Sequence, residues 1–251
     1  MMPITETVKH LLIINVLLFI GANFIPEIQA FFPMYYFENP DFGFWQPLTS
    51  MFMHGNFSHI LFNMFGLYMF GSTLEQFWGG KKFLFFYISC GLGAALVHQG
   101  VSYYEFHSAY EVLLNNGLSG EEIRTLLDSG SVIPKNASEN TAAIQQAVNS
   151  ISSPYKTVVV GASGAIYGIL VAFAFMFPNV GLMLLFLPIP IKAKYFVPII
   201  LLIDLFSGIN GNSIFGVSTG IAHFAHLGGA LTGFLMMRYW KKNDFNPHRW
   251  N

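Results

Sequence analysis

The apolar positions of this chain gather into six long runs: residues 11–25, 54–77, 83–97, 158–177, 195–209 and 220–240. Runs of this length, nearly free of charge, predict helices that cross a bilayer. Lys9 and His10 precede the first run, an arrangement similar to a signal peptide. The run reaches Pro26 without a small-residue cleavage pattern, so an uncleaved first span is expected. Residues 26–47 are too polar to span, because they hold Glu27, Glu38 and Asp41. Their aromatics, among them Phe31, Tyr35, Tyr36 and Trp45, suit a loop lying in the headgroup region. Gly79-Gly80-Lys81-Lys82 closes the second span, and residues 187–194, with Pro188 and Pro190, predict a turn.

Residues 99–156 break the pattern, with nine charged side chains from Glu105 to Lys156. Ser119-Gly-Glu-Glu-Ile-Arg-Thr-Leu-Leu predicts a short capped helix. Residues 142–148 predict another. The segment reads as a soluble insertion between the third and fourth spans.

Composition agrees. The chain is 53% hydrophobic and 10% charged, where a soluble domain carries roughly 25% charge. A net charge of −1 leaves no electrostatic footprint for nucleic acid. Cys90 is the single cysteine, which excludes an intramolecular disulfide and a cysteine metal site. Charge also orients the chain. With the N-terminus inside, nine of the twelve Lys and Arg fall on inside segments; only Arg124, Lys135 and Lys156 lie outside. The positive-inside rule wants this, and it makes the insertion extracytoplasmic.

Three polar clusters interrupt the apolar runs. His54, His59 and Asn63 belong to the second span, with His59 and Asn63 four apart on one helix face. Ser163 and Tyr167, also four apart, belong to the fourth, within Gly161-Ala162-Ser163-Gly164. His223 and His226 lie on one face of the sixth. Spans two, four and six all run from outside to inside, and each cluster lies near the start of its span. At about 1.5 Å per residue, all three fall in the outer half of the bilayer. A serine, histidines and an asparagine at one depth supply a nucleophile, a base and oxyanion donors. Blander readings exist for each part. Small residues let membrane helices pack closely, and a lone histidine or asparagine can serve as an interhelical hydrogen bond. His223 and His226 have the spacing to share a metal ion, but no carboxylate or cysteine near them in sequence completes a zinc set, so no metal is expected. Asp204, near the outer end of the fifth span, reads as an anchoring or packing residue. Spacing alone does not choose between His223 and His226 as base. His226 is the deeper by roughly 4–5 Å along the helix, which favours it.

At these residues the chain resembles the rhomboid family of intramembrane serine proteases, over roughly residues 45–98 and 158–240. The patterns are His54, His59 and Asn63; Gly71, Glu75 and Gly79; Gly161 to Gly164; and Ala225, His226 and Gly229, continued to Gly233. The resemblance implies Ser163 as nucleophile and His226 as general base in a dyad, with no aspartate orienting the base. It implies Tyr167 packed on the His226 ring, and His59, Asn63 and the Ser163 N–H holding the oxyanion. His223 would hydrogen-bond the substrate backbone or the oxyanion. No cofactor is implied. Two departures stand out: Trp45-Gln46 where the family often shows Trp-Arg, and the long insertion.

The expectation is an all-α membrane protein, a single rhomboid-type domain over residues 1–251 with six transmembrane helices and an extracytoplasmic insertion at 99–156. It would sit in a cell (inner) membrane with both termini cytoplasmic. It would cleave single-pass transmembrane proteins near their extracytoplasmic end, and bind no nucleic acid. The rivals are a catalytically silent relative that binds membrane segments, and a transporter that uses the histidines as a proton relay.

Overall fold

The computed structural model describes residues 3–129, 141–184, 187–210 and 220–243. It is mostly helical. In chain order come α1 (Glu6–Phe24), α2 (Pro26–Phe31), α3 (Gln46–Thr49), α4 (Phe57–Gly66), α5 (Ser72–Trp78), α6 (Gly80–Asn115), α7 (Gly120–Ser129), α8 (Thr141–Lys156) and α9 (Ser163–Met176). A hairpin of β1 (Gly181–Leu184) and β2 (Leu187–Lys192) follows, then α10 (Ala193–Asn210) and α11 (Gly220–Asn243).

α9 is the central element. Gly164, Ala165, Ile166, Gly168 and the residues from Ile169 to Phe173 are buried. They pack with Phe83, Phe86 and Cys90 of α6 and Ala230 of α11 in one core. An opposite surface is presented outward: Phe24 of α1, Leu96 of α6, Phe206 of α10 and Leu235 of α11 are exposed. Large apolar side chains facing outward on several helices are what lipid contact requires. Among the described residues, α1 and α6 are long and apolar enough to cross a membrane, and α9 is a shorter apolar helix.

The expected second span is divided. Asn56 caps α4 by accepting from the His59 N–H at 2.8 Å, so helix begins after His54. A wider π turn at Leu67–Gly71 then leads into α5. The fourth helix starts at Ser163 rather than near residue 158. Val158, Val159 and Val160 are β-branched and favour extended backbone, and Val159 pairs with Met34 in both directions at 2.9 and 3.0 Å. Of the turn expected at 187–194, residues 187–192 form the second strand of the hairpin and Ala193 opens α10.

The helix of the expected third span does not stop near residue 97. With no proline to break it, α6 continues for 36 residues, about 54 Å, far beyond a hydrocarbon core of roughly 30 Å. Its far half carries Phe106, Ala109 and Leu113, which bury against Ile123 and Leu127 of α7 and Ile144, Ala147 and Ile151 of α8. Residues 99–156 thus build a second core, which also takes in Tyr36. α7 opens with the predicted cap: the Ser119 N–H and Oγ–H donate to Glu122 at 2.8 Å, and the Glu122 N–H donates to Ser119 Oγ at 3.3 Å.

The same segment also grips the loop after α2. Gln99 donates to the Tyr35 carbonyl and accepts from the Phe37 N–H, Asn39 donates to the Tyr155 carbonyl, and His107 lies 3.0 Å from Glu38. Gln46, the first residue of α3, is buried against the same loop. It accepts from the Tyr35 N–H at 3.1 Å and donates to the Asp41 carbonyl at 2.8 Å. A neutral amide therefore ties this loop together where the family resemblance would place an arginine.

Candidate active site

The site is assembled by helices that touch backbone to backbone. A Cβ added at Gly229 would meet the Gly164 carbonyl oxygen at 1.9 Å, and one at Gly233 would meet the Gly168 Cα at 2.8 Å. Only glycine lets α9 and α11 come so close. On the α6 side, Gly164 faces Ala94 and Gly168 faces Cys90. Close packing of α9 on α11 brings together side chains near this contact. His226 Nε2 lies 2.9 Å from Ser163 Oγ. The Tyr167 ring stacks on the His226 ring at 4.3 Å and 10°.

Ser163 is the first residue of α9. Its N–H is among the helix-terminal donors that have no intrahelical partner, at the positive end of the helix dipole. The turn into the helix depends on Gly161, whose φ of +124° suits glycine and strains other residues. The Gly161 N–H donates to the Ser50 carbonyl at 2.9 Å. With the Val159–Met34 pair, this satisfies non-helical backbone within the protein.

A Cβ at Gly161 would lie 2.7 Å from His59 Nε2, so the His59 ring covers this glycine beside Ser163. His54 meets His59 edge to face at 5.0 Å. Asn63 is buried, with Nδ2 donating to the His59 carbonyl at 3.0 Å. A cavity of about 50 Å³ adjoins Ser163 and His226 and is lined in part by Gly161, Met51 and Ala225.

The chain matches the family model described as the Rhomboid domain over residues 41–121 and 140–242. It belongs to the rhomboid family. Membership makes this rhomboid an integral membrane protein of a protease family. It is 29% identical over 202 residues to the rhomboid protease AarA of Providencia stuartii, covering 76% of this chain and 54% of that one. It is 27% identical over 198 residues to the mitochondrial RHOMBOID-like protein 12 of Arabidopsis thaliana, covering 79% of this chain and 47% of that one. The chain spans about half the length of these relatives.

The remaining motif residues of the rhomboid take two different places. Glu75 stands apart from Ser163 and receives the start of α1: Thr5 Oγ–H donates at 2.5 Å, and the Thr7 and Val8 N–H groups donate at 2.9 Å. His223 does join the cluster, through Asp204 of α10. Its Nδ1 lies 2.5 Å from Asp204 Oδ1, and the same oxygen lies 3.3 Å from His226 Nδ1. Asp204 is buried, which fits packing, one of the two roles its place in the fifth span suggested. The available signal was a lone carboxylate in an apolar run, which flags function by its cost. Nothing in the spacing told which neighbour it would face.

Asp204, His223 and His226 bring three potential metal-ligand atoms within 4.8 Å of one another. Ligands of one tetrahedral zinc, with bonds of about 2.0–2.1 Å, stand about 3.3 Å apart. His223 and Asp204 at 2.5 Å are in direct hydrogen-bond contact instead.

Proposed function

We propose that the protein is an intramembrane serine endopeptidase with Ser163 as nucleophile and His226 as general base. The observation that carries this reading is the 2.9 Å contact of Ser163 Oγ with His226 Nε2 at the N-terminus of a buried helix. In the proposed reaction the Ser163 oxygen attacks the scissile carbonyl carbon while His226 Nε2 takes its proton. The oxyanion forms against the Ser163 N–H, with His59 and Asn63 as further donors. His226 then gives its proton to the departing amine as the peptide C–N bond breaks. Water attacks the acyl-enzyme with His226 again as base, and Ser163 is released. Tyr167 holds the imidazole by stacking.

The topology proposed with this chemistry has six spans, formed by α1, the α4–α5 pair, α6, α9, α10 and α11, and both termini on the cytoplasmic side. It is one membrane domain, with residues 99–156 as an extracytoplasmic insertion whose first arm is the far half of α6. α9 has 14 residues, about 21 Å, against a core of roughly 30 Å. With the shortfall at its outer end, Ser163 lies below the membrane surface and water reaches it from outside. The proposed substrates are single-pass membrane proteins cut near their extracytoplasmic end.

Labelling in detergent by a serine-reactive fluorophosphonate tests the reading. The unmutated protein should label and cleave a reconstituted transmembrane substrate. Ser163→Ala and His226→Ala should do neither, because a serine hydroxyl without its base is a poor nucleophile near neutral pH. Equal labelling of Ser163→Ala, or none of the unmutated protein, would remove the proposal in favour of a silent binder or a transporter.

A further inference from the structure

We propose that Asp204 is a positioning residue for the base, so that this rhomboid works with an Asp–His–Ser line and not with serine and histidine alone. The inference rests on the reading of Ser163 and His226 above.

His226 is held on both edges and on one face. Nε2 meets Ser163 at 2.9 Å, Nδ1 meets Asp204 Oδ1 at 3.3 Å, and Tyr167 stacks on the ring at 4.3 Å. A neutral imidazole has one N–H and one bare nitrogen. A carboxylate at Nδ1 selects the tautomer with the proton there, and Nε2 is then free to accept from the serine hydroxyl. When Nε2 takes that proton, the imidazolium faces a negative charge already in place, which is the role of the aspartate in soluble serine proteases.

Asp204 is built for the position. Its side chain is 7% exposed and lies between the Nδ1 atoms of His223 and His226 on α11. One carboxylate oxygen accepts two hydrogen bonds, so His223 and His226 share it. Four residues further along α10, Gly208 lets α11 approach: a Cβ there would meet Phe224 at 3.1 Å and the His223 Cβ at 3.4 Å. A short aspartate reaches across only because the two helices are this close. A purely structural carboxylate in an apolar helix would carry a desolvation cost with no return in chemistry. His223 has a place in the same design, since it holds the carboxylate from the other side and aims it.

The test uses the full chain in detergent and three readouts. Asp204→Asn keeps an acceptor of the same shape but removes the charge and the tautomer preference. Its kcat and its rate of fluorophosphonate labelling should fall about 10²-fold, with KM within about twofold. The loss should be smaller than the ~10⁴ of a soluble triad, because the contact is long and shared. A structural role would instead lower the melting temperature and leave the kcat of the folded fraction unchanged. The third readout needs no Asp204 variant: ¹⁵N NMR of histidine-labelled protein near neutral pH, with His226 assigned by difference from His226→Ala. The proposal expects His226 protonated at Nδ1 and bare at Nε2. Unchanged kcat in Asp204→Asn, or the opposite tautomer, overturns it. If Asp204→Asn does not fold, the tautomer decides. If the unmutated protein takes no fluorophosphonate, the serine protease reading itself fails, and Asp204 loses its role with it.

Discussion

Asn63 looks structural, yet the proposed mechanism gives it a part in the chemistry. Its Nδ2 donates to the His59 carbonyl one turn back, which is ordinary helix bonding for a buried asparagine. An amide nitrogen has two N–H groups, however, and one such bond leaves the second to meet an oxyanion. Under the proposed mechanism, Asn63→Ala should lower kcat more than it raises KM, because the lost bond forms chiefly in the transition state. Removing one such donor from a soluble protease costs about 10²–10³ in rate. Here a loss of about 10–10² is expected, since His59 and the Ser163 N–H share the charge. Steady-state kinetics on a transmembrane substrate measure it, and unchanged kcat would return Asn63 to packing.

Among the elements, α7 allows the cleanest separate test. Ser119 and Glu122 satisfy each other's backbone donors at its start. Removing such a cap costs about 1 kcal/mol. Ser119→Ala should therefore lower amide-exchange protection in the first turn of α7 and leave α9 unaffected. The Ser119 N–H and O–H hold the Glu122 carboxyl below its ordinary value of 4.5. The folded pKa is depressed, so this stabilisation is present above the unfolded value and fades as pH falls through the folded one. Protection of that turn should drop below about pH 4.5 in the unmutated chain. Glu122→Gln should abolish the pH dependence, and a turn whose protection ignores both changes is not held by this cap.

At the scale of the molecule, the proposed topology puts the α7–α8 arm outside the cell. Glu121 is exposed on that arm, and Cys90 is buried against Gly168. In a Cys90→Ala background, Glu121→Cys should react with an impermeant maleimide on intact cells as fully as on permeabilised ones. Reaction only after permeabilisation would reverse the orientation and remove the argument that Ser163 is reached from the extracytoplasmic side.

The sequence by itself determined the local facts. Runs nearly free of charge located the apolar segments, Ser119 and Glu122 announced a helix start, and the small residues around Ser163 and Gly229 marked where helices approach. Each of these is written in neighbouring residues, because hydrophobicity, capping and glycine's lack of a Cβ act over a turn or two. The sequence misjudged boundaries where distant partners compete with local preference. α6 runs on past residue 97 because α7 and α8 cover its far half, and residues 158–161 stay out of the helix because Met34 and Ser50 take the hydrogen bonds of Val159 and Gly161. The tertiary structure alone decided which polar groups meet. Ser163 touches His226 from 63 residues away, and Asp204 reaches it from 22. Those distances depend on the backbone contact of Gly164 with Gly229 and on Gly208 beside α11. Side-chain chemistry can be read along the chain, but who faces whom follows from helix packing, which no local pattern encodes.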